Sequence, residues 1–194
     1  MKSLKEYINE SMFDEEDIET NVIDSEIIDW IVKNHISIKP NYLTISKKPN
    51  KDGKYVVDYK YSVLIKSASM VSLTNDMFVW GEVKGNFDCS YCDLTSLEGA
   101  PKIVKKTFHC VDCNSLTSLE GAPEKVGRDF NCNDCNSLIS LEGAPKEVEG
   151  VFNCSGCKSL TSLAGIPKKI GGKIKYRGCA KYFTEADIEK AQNA

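Results

Sequence analysis

Phe130-Asn-Cys132-Asn-Asp-Cys135-Asn-Ser-Leu138-Ile-Ser-Leu141-Glu-Gly143-Ala-Pro145 decides the fold, because the same wording returns at a nearly fixed interval along the second half of the chain. Phe87, Phe108, Phe130, Phe152 and Ile174 recur at spacings of 21, 22, 22 and 22 residues, the signature of stacked repeats. Each unit reads approximately Phe-x-Cys-x-x-Cys-x-Ser-Leu-x-Ser-Leu-x-Gly-x-Pro-x-x-Val, and the first is one residue shorter after Cys92. The pattern predicts one coil per repeat: a short strand around Phe-x-Cys, a turn, an apolar Leu-x-x-Leu edge, a Gly-x-Pro corner and a returning Val or Ile. A single coil cannot bury its apolar side, whereas stacking does. Phe130 is therefore expected between Phe108 and Phe152, and Leu138 between Leu116 and Leu160, with strands about 4.8 Å apart in a parallel sheet. The expected fold class is a repeat solenoid, mostly β, with short parallel strands and irregular coils.

The units resemble the leucine-rich repeat, whose strand segment is Leu-x-x-Leu-x-Leu-x-x-(Asn or Cys)-x-Leu. Phe130 and Cys132 match its second and third leucines, and Cys135 falls where that family places its ladder Asn or Cys. Leu138 comes one residue later than the family pattern. The Leu-x-x-Leu-x-Gly-x-Pro wording is similar to repeats of tailed bacteriophages and of some bacterial effector proteins. The resemblance covers about half the chain. It implies a curved, right-handed scaffold that binds partners, and it names no partner.

Cys89/Cys92, Cys110/Cys113, Cys132/Cys135 and Cys154/Cys157 are separated by 17 or 18 residues, which also satisfies a zinc-site spacing. A tetrahedral metal needs four ligands converging on one point, whereas a solenoid sets equivalent cysteines out along a line. The first Cys of each pair alternates in phase with Phe, so it should point inward as a small hydrophobe. Structural thiols are the preferred reading, and zinc or redox chemistry on the eight paired cysteines is the alternative. No cofactor is expected. Cys179 stands alone in the last, degenerate coil.

Upstream, Asp24-Ser-Glu-Ile-Ile-Asp-Trp-Ile-Val-Lys-Asn34 predicts a helix carrying Ile27, Ile28, Trp30, Ile31 and Val32, with Asp24 or Ser25 as N-cap. Tyr42–Ser46 and Lys54–Ile65 are rich in β-branched and aromatic residues and flank the turn chemistry of Pro49-Asn-Lys-Asp-Gly53, which predicts a hairpin. Leu73, Phe78, Val83 and Phe87 repeat the spacing of the later return legs and place the start of the solenoid near Val71. Thr184-Glu-Ala-Asp187 opens a short helix with Ala186, Ile188 and Ala191 on one side, preceded by Tyr182 and Phe183, which suits a cap. The resulting division is a flexible segment over 1–20, an α+β N-terminal cap over 21–70, the leucine-rich-repeat-like solenoid over 71–179 and a capping helix over 180–194.

The net charge of −3 in 194 residues removes the footprint of a general nucleic-acid binder or an anionic-membrane binder, so neither partner is expected. No run is long and apolar enough to span a bilayer, and the N-terminus lacks the apolar centre of a signal peptide. A cytoplasmic protein follows, with its nine cysteines reduced. Met1-Lys-Ser-Leu-Lys-Glu-Tyr-Ile-Asn-Glu10 is similar to the N-terminal capsid-packaging signal of internal head proteins in tailed bacteriophages. That resemblance implies Ile8, Asn9 and Glu10 as a cleavage motif cut after Glu10, a virion interior, and delivery into the host with the DNA. An ordinary frayed amphipathic terminus is the alternative.

Nothing in the chain reads as catalytic. His35 and His109 are its only histidines, and His109 occupies a repeat slot held elsewhere by Asp88, Asn131 and Asn153. That slot varies where the core does not, which suits an outward position better than a general base without a partnered nucleophile. The residues flanking each Phe and Cys are Asp88 and Ser90, His109 and Val111, Asn131 and Asn133, Asn153 and Ser155, then Lys175 and Arg177. They are expected to form two stripes across the sheet. A non-enzymatic module that docks a host or virion protein on these stripes is the function expected, with a purely structural virion component as a further alternative.

Overall fold

Between its bends, each repeat has straight legs only long enough for two-residue strands. In the computed structural model, which describes residues 20–39 and 42–193, these legs stack into a β-solenoid of about six turns with two helices. One seven-stranded sheet holds, in spatial order, β1 (Ile36–Ser37), β4 (Val63–Ile65), β6 (Phe87–Asp88), β8 (Phe108–His109), β10 (Phe130–Asn131), β12 (Phe152–Asn153) and β14 (Ile174–Lys175). The second runs from β2 (Leu43–Ile45) through β3 (Tyr55–Tyr59), β5 (Phe78–Val83), β7 (Ile103–Val104), β9 (Lys125–Val126) and β11 (Glu147–Val148) to β13 (Lys169–Ile170). Pairing is parallel throughout except at the N-terminal margin, where β1 and β2 lie antiparallel on β4 and β3. Helix α1 spans Thr20–Lys33 and α2 spans Glu185–Asn193.

The core is a set of ladders, as the repeat spacing predicts. Phe130 pairs in register with Phe108 and Phe152. The rings of Phe87, Phe108, Phe130 and Phe152 stack with centroids 5.5, 5.2 and 5.4 Å apart and planes within 7° of parallel. Such stacks add to simple burial of the rings. Both cysteines of every pair and both leucines of every Leu-x-x-Leu are buried with them. The Gly-x-Pro corner needs its glycine on two counts. Gly121 sits at φ +85°, and a Cβ there would meet the backbone of Glu98 in the coil below.

Several expectations are revised. The returning Val or Ile lies on a short strand, and these strands make up a second sheet that the spacing did not announce. Lys54–Ile65 is not one arm of a hairpin: Tyr55–Tyr59 pairs with Leu43–Ile45, and after the corner Lys60-Tyr61-Ser62 the chain enters the first sheet at Val63. Parallel stacking therefore begins at Tyr55, ahead of Val71, because β3 and β4 already follow the strand, corner, strand order of the repeats without their cysteines. Met70 and Leu73 are both buried, at the spacing of the later Leu-x-x-Leu pairs. Helix α1 already includes Thr20, which puts Asp24 and Ser25 inside it rather than at its N-cap.

The two ends are covered differently. Ile27, Ile28 and Ile31 of α1 are buried, and Trp30 meets Phe78 edge-on at 5.4 Å. Val32 is exposed. At the other end Thr184 caps α2: its Oγ1 accepts the Asp187 N–H at 3.2 Å, and the Asp187 carboxylate accepts the Thr184 N–H at 2.8 Å. Phe183 and Ile188 are buried and Ala191 packs on the core, while Ala186 faces solvent. Gln192 Nε2 donates to the Pro167 carbonyl at 3.1 Å and ties the helix to the preceding coil.

Candidate functional site

Alternation in the first sheet sends Phe and Cys inward and the residues between them outward. In β6, β8, β10 and β12 the inner residue is buried and its neighbour is partly exposed, as in Phe108 and His109, while at the C-terminal margin Ile174 is half-buried and Lys175 exposed. Register then lines up Asp88, His109, Asn131, Asn153 and Lys175 as one row. The row extends one rung further, to Leu64 beside Asp88. Leu64 was not among the expected residues, although the alternation of Val63, Leu64 and Ile65 carries the signal. It is 38% exposed, so this end of the row is apolar.

The second row, Ser90, Val111, Asn133, Ser155 and Arg177, is carried past the strand ends by hydrogen bonds from coil to coil. Tyr91, Asp112, Asp134 and Gly156 donate their N–H groups to the carbonyls of Val111, Asn133, Ser155 and Arg177 at 2.8–3.0 Å. All ten expected residues thus fall on the two rows. Asp88 Oδ1 accepts the Ser90 N–H at 3.0 Å, Asn153 Oδ1 accepts the Ser155 N–H at 3.1 Å and Ser90 Oγ accepts the Val111 N–H at 3.1 Å. Asn131 Nδ2 lies 3.4 Å from His109 Nδ1, and Asn153 Nδ2 lies 3.4 Å from Asn133 Oδ1. The charge runs from Asp88 near one end to Lys175 and Arg177 at the other. There Ser155, Lys175 and Arg177 line a cleft of about 520 Å³ together with Tyr176 and the highly exposed Tyr182.

Beside these rows runs a third feature that the repeat spacing did not disclose. The residue before each second cysteine is left-handed: Tyr91, Asp112 and Asp134 at φ 61°, 56° and 62°, then Gly156 and Gly178 at 75° and 78°. Asp and Gly suit this region, whereas Tyr91 is strained and 67% exposed.

The thiols are engaged inside the stack. Cys113, Cys135, Cys157 and Cys179 each donate to the carbonyl of the first cysteine-position residue one coil back, Cys89, Cys110, Cys132 and Cys154, at 3.0–3.2 Å. Cys179 therefore occupies the second-cysteine position of its coil, with Tyr176 in the place of the first. Burial pushes the Cys89, Cys110 and Cys132 thiols up, and Cys92, Cys113 and Cys157 to about 11, 12 and 12. Cys179 goes the other way, because a hydrogen bond from the Cys154 thiol lowers it against the opposing effect of partial burial. Among the described residues no group of three or more His, Cys, Asp or Glu side chains is placed to hold a metal ion.

The chain matches no family model, no curated protein and no solved structure. No helix among the described residues is long and apolar enough to cross a membrane. Ile8, Asn9 and Glu10 lie outside the described residues.

Proposed function

We propose that this chain is a non-enzymatic interaction module that docks a protein partner on the two outer rows of the first sheet. One observation carries the reading. Over a core of Phe, Cys and Leu that repeats almost unchanged, the outer row changes chemistry at nearly every rung, from Asp88 through His109 and asparagines to Lys175. A row that packing does not constrain yet differs rung by rung suits recognition, since solenoids present an extended face whose side chains vary freely. The repeat wording and the first ten residues favour a phage origin, with the protein packaged in the head, released by cleavage after Glu10 and delivered into host cytoplasm.

The test is comparative capture from bacterial lysate and from virion proteins. Wild-type protein should retain a specific partner that a variant with Asp88, His109, Asn131 and Asn153 changed together to Ala loses. Equal capture by the two removes the rows from the proposal. Near-stoichiometric zinc in protein purified under reducing conditions would favour the cysteine-based alternative instead.

A further inference from the structure

The corners that lead from the second sheet into the first also stack, and at the N-terminal end they gather an unusual set of side chains. Tyr59 and Val83 are in register, so the residues that follow them, Lys60 and Lys84, sit one coil apart at the corner. Gly85 N–H donates to the Tyr61 carbonyl at 3.1 Å and Lys106 N–H to the Gly85 carbonyl at 3.3 Å, which continues the stack to Lys106. Lys39 is brought in from the N-terminal side, its N–H bonded to the Tyr59 hydroxyl at 2.7 Å. These four lysines line one cleft of about 690 Å³ with Tyr42, Tyr59 and Tyr61. That volume is typical of small-ligand sites.

Three further observations give the cleft a chemistry. First, no carboxylate is among the described residues that line it, in a chain whose net charge is −3; Asp58 and Glu82 face the adjoining cleft beyond Lys60 and Lys84. Secondly, none of the four lysines forms an ion pair among the described residues, whereas Lys105, Lys125, Lys146 and Lys169 along the second sheet all do. Like charges left unpaired around a concave site attract a multiply charged anion. Thirdly, the Tyr42 and Tyr61 rings meet edge-on at 4.6 Å and remain 37% and 47% exposed. Lys60 Nζ stands 5.8 Å from both centroids, so an ammonium group and two aromatic rings share one place in the cleft. Gly85 lets the two coils close up at this corner, since a Cβ there would strike the backbone of Tyr61 and Ser62.

We propose that this cleft binds a nucleoside phosphate, with the base against Tyr42 and Tyr61 and the phosphates among Lys39, Lys60, Lys84 and Lys106. A simple anion would use the ammonium groups and leave the rings idle, whereas a base with phosphates uses both. The site is separate from the outer rows of the first sheet and goes beyond the docking function proposed for them.

All four lysines and both exposed tyrosines can be truncated without touching the buried core, and the corner bonds at 60, 84, 85 and 106 are made by backbone. Full-length protein is titrated with ATP, inorganic triphosphate, a short oligothymidylate and a phosphotyrosine peptide by calorimetry at low ionic strength. ATP should bind at one site, about tenfold or more tighter than inorganic triphosphate. Tyr61→Ala should remove most of that advantage while leaving triphosphate binding in place. Lys60→Ala with Lys84→Ala should weaken both ligands, and the binding should fall as salt rises. Oligothymidylate binding tighter than ATP, with the same dependence on Tyr61, would identify the nucleotide as part of a single strand and support the site. Equal affinity for ATP and inorganic triphosphate, tighter binding of the phosphotyrosine peptide, or no saturable binding below about 1 mM would overturn the proposal.

Discussion

A thiol that burial has stripped of water has little to gain by ionising. Cys92, Cys113 and Cys157 titrate near 11, 12 and 12 because burial disfavours the thiolate, while in the unfolded chain a cysteine titrates near 8.5. With the folded pKa raised, the stabilisation is intact below about pH 8.5 and is lost as pH rises towards the folded values. Stability measured by urea denaturation should therefore be flat from about pH 7 to pH 8 and fall steeply above about pH 9, by up to about 1.4 kcal/mol per pH unit for each such thiol. The same reasoning orders their reactivity. Native-state alkylation followed by mass spectrometry should modify Cys179 first and leave Cys89, Cys110 and Cys132 to react only through unfolding. A second residue-scale expectation concerns the left-handed positions. Gly121→Ala should cost more than about 2 kcal/mol, from its φ of +85° and its approach to Glu98. Tyr91→Gly should be neutral or stabilising by about 0.5 kcal/mol, since strain relieved offsets the added freedom of the unfolded chain.

At the level of strands and corners, replacing Asp88, His109, Asn131 and Asn153 together by Ala should abolish partner capture yet lower stability by less than about 2 kcal/mol, measured by chemical denaturation. These side chains contribute two hydrogen bonds within their own coils, to the N–H groups of Ser90 and Ser155, and two long ones of 3.4 Å between coils. Phe130→Ala in the same strands should cost about 3–5 kcal/mol, because it opens a hole in the middle of the ring stack. The repeats were legible because 22-residue self-similarity fixes which residues meet: the Phe ladder and all ten outward positions follow from counting. The second sheet was less legible, since Ile103-Val104 or Glu147-Val148 is too short a strand to show alternation. The break at Lys60-Tyr61-Ser62 was hidden inside a run of strand-forming residues, where no proline or glycine marks the corner. The lysine and tyrosine cleft could not be read at all. Its members lie at 39, 42, 59–61, 84 and 106, and they converge only once the coils have stacked.

For the molecule as a whole, contacts reach mainly from one coil to the next, so a coil should be removable. Deleting residues 108–129 joins Thr107 to Phe130 and preserves the repeat, and the product should fold cooperatively with a smaller denaturant slope. Removing residues 181–194 uncovers the apolar site that Phe183 and Ile188 fill at the end of the solenoid. The truncated chain should self-associate, as gel filtration would show. The ion pairs of the second sheet add one more consequence. Lys125, Glu147 and Lys169 occupy successive rungs, and Glu147 reaches Lys125 at 3.2 Å and Lys169 at 2.6 Å. Near-identical coils invite misthreading, in which a folding chain skips one and seats the next in its place. Skipping the coil that carries Glu147 would set Lys125 against Lys169, ammonium to ammonium. Deleting residues 130–151 makes that misfit permanent, and it should cost roughly 0.5–1 kcal/mol more than deleting 108–129, a difference that shrinks as salt is added. The surface charges that contribute little to the stability of the finished solenoid thus distinguish one coil from its neighbours while the chain is still choosing its order.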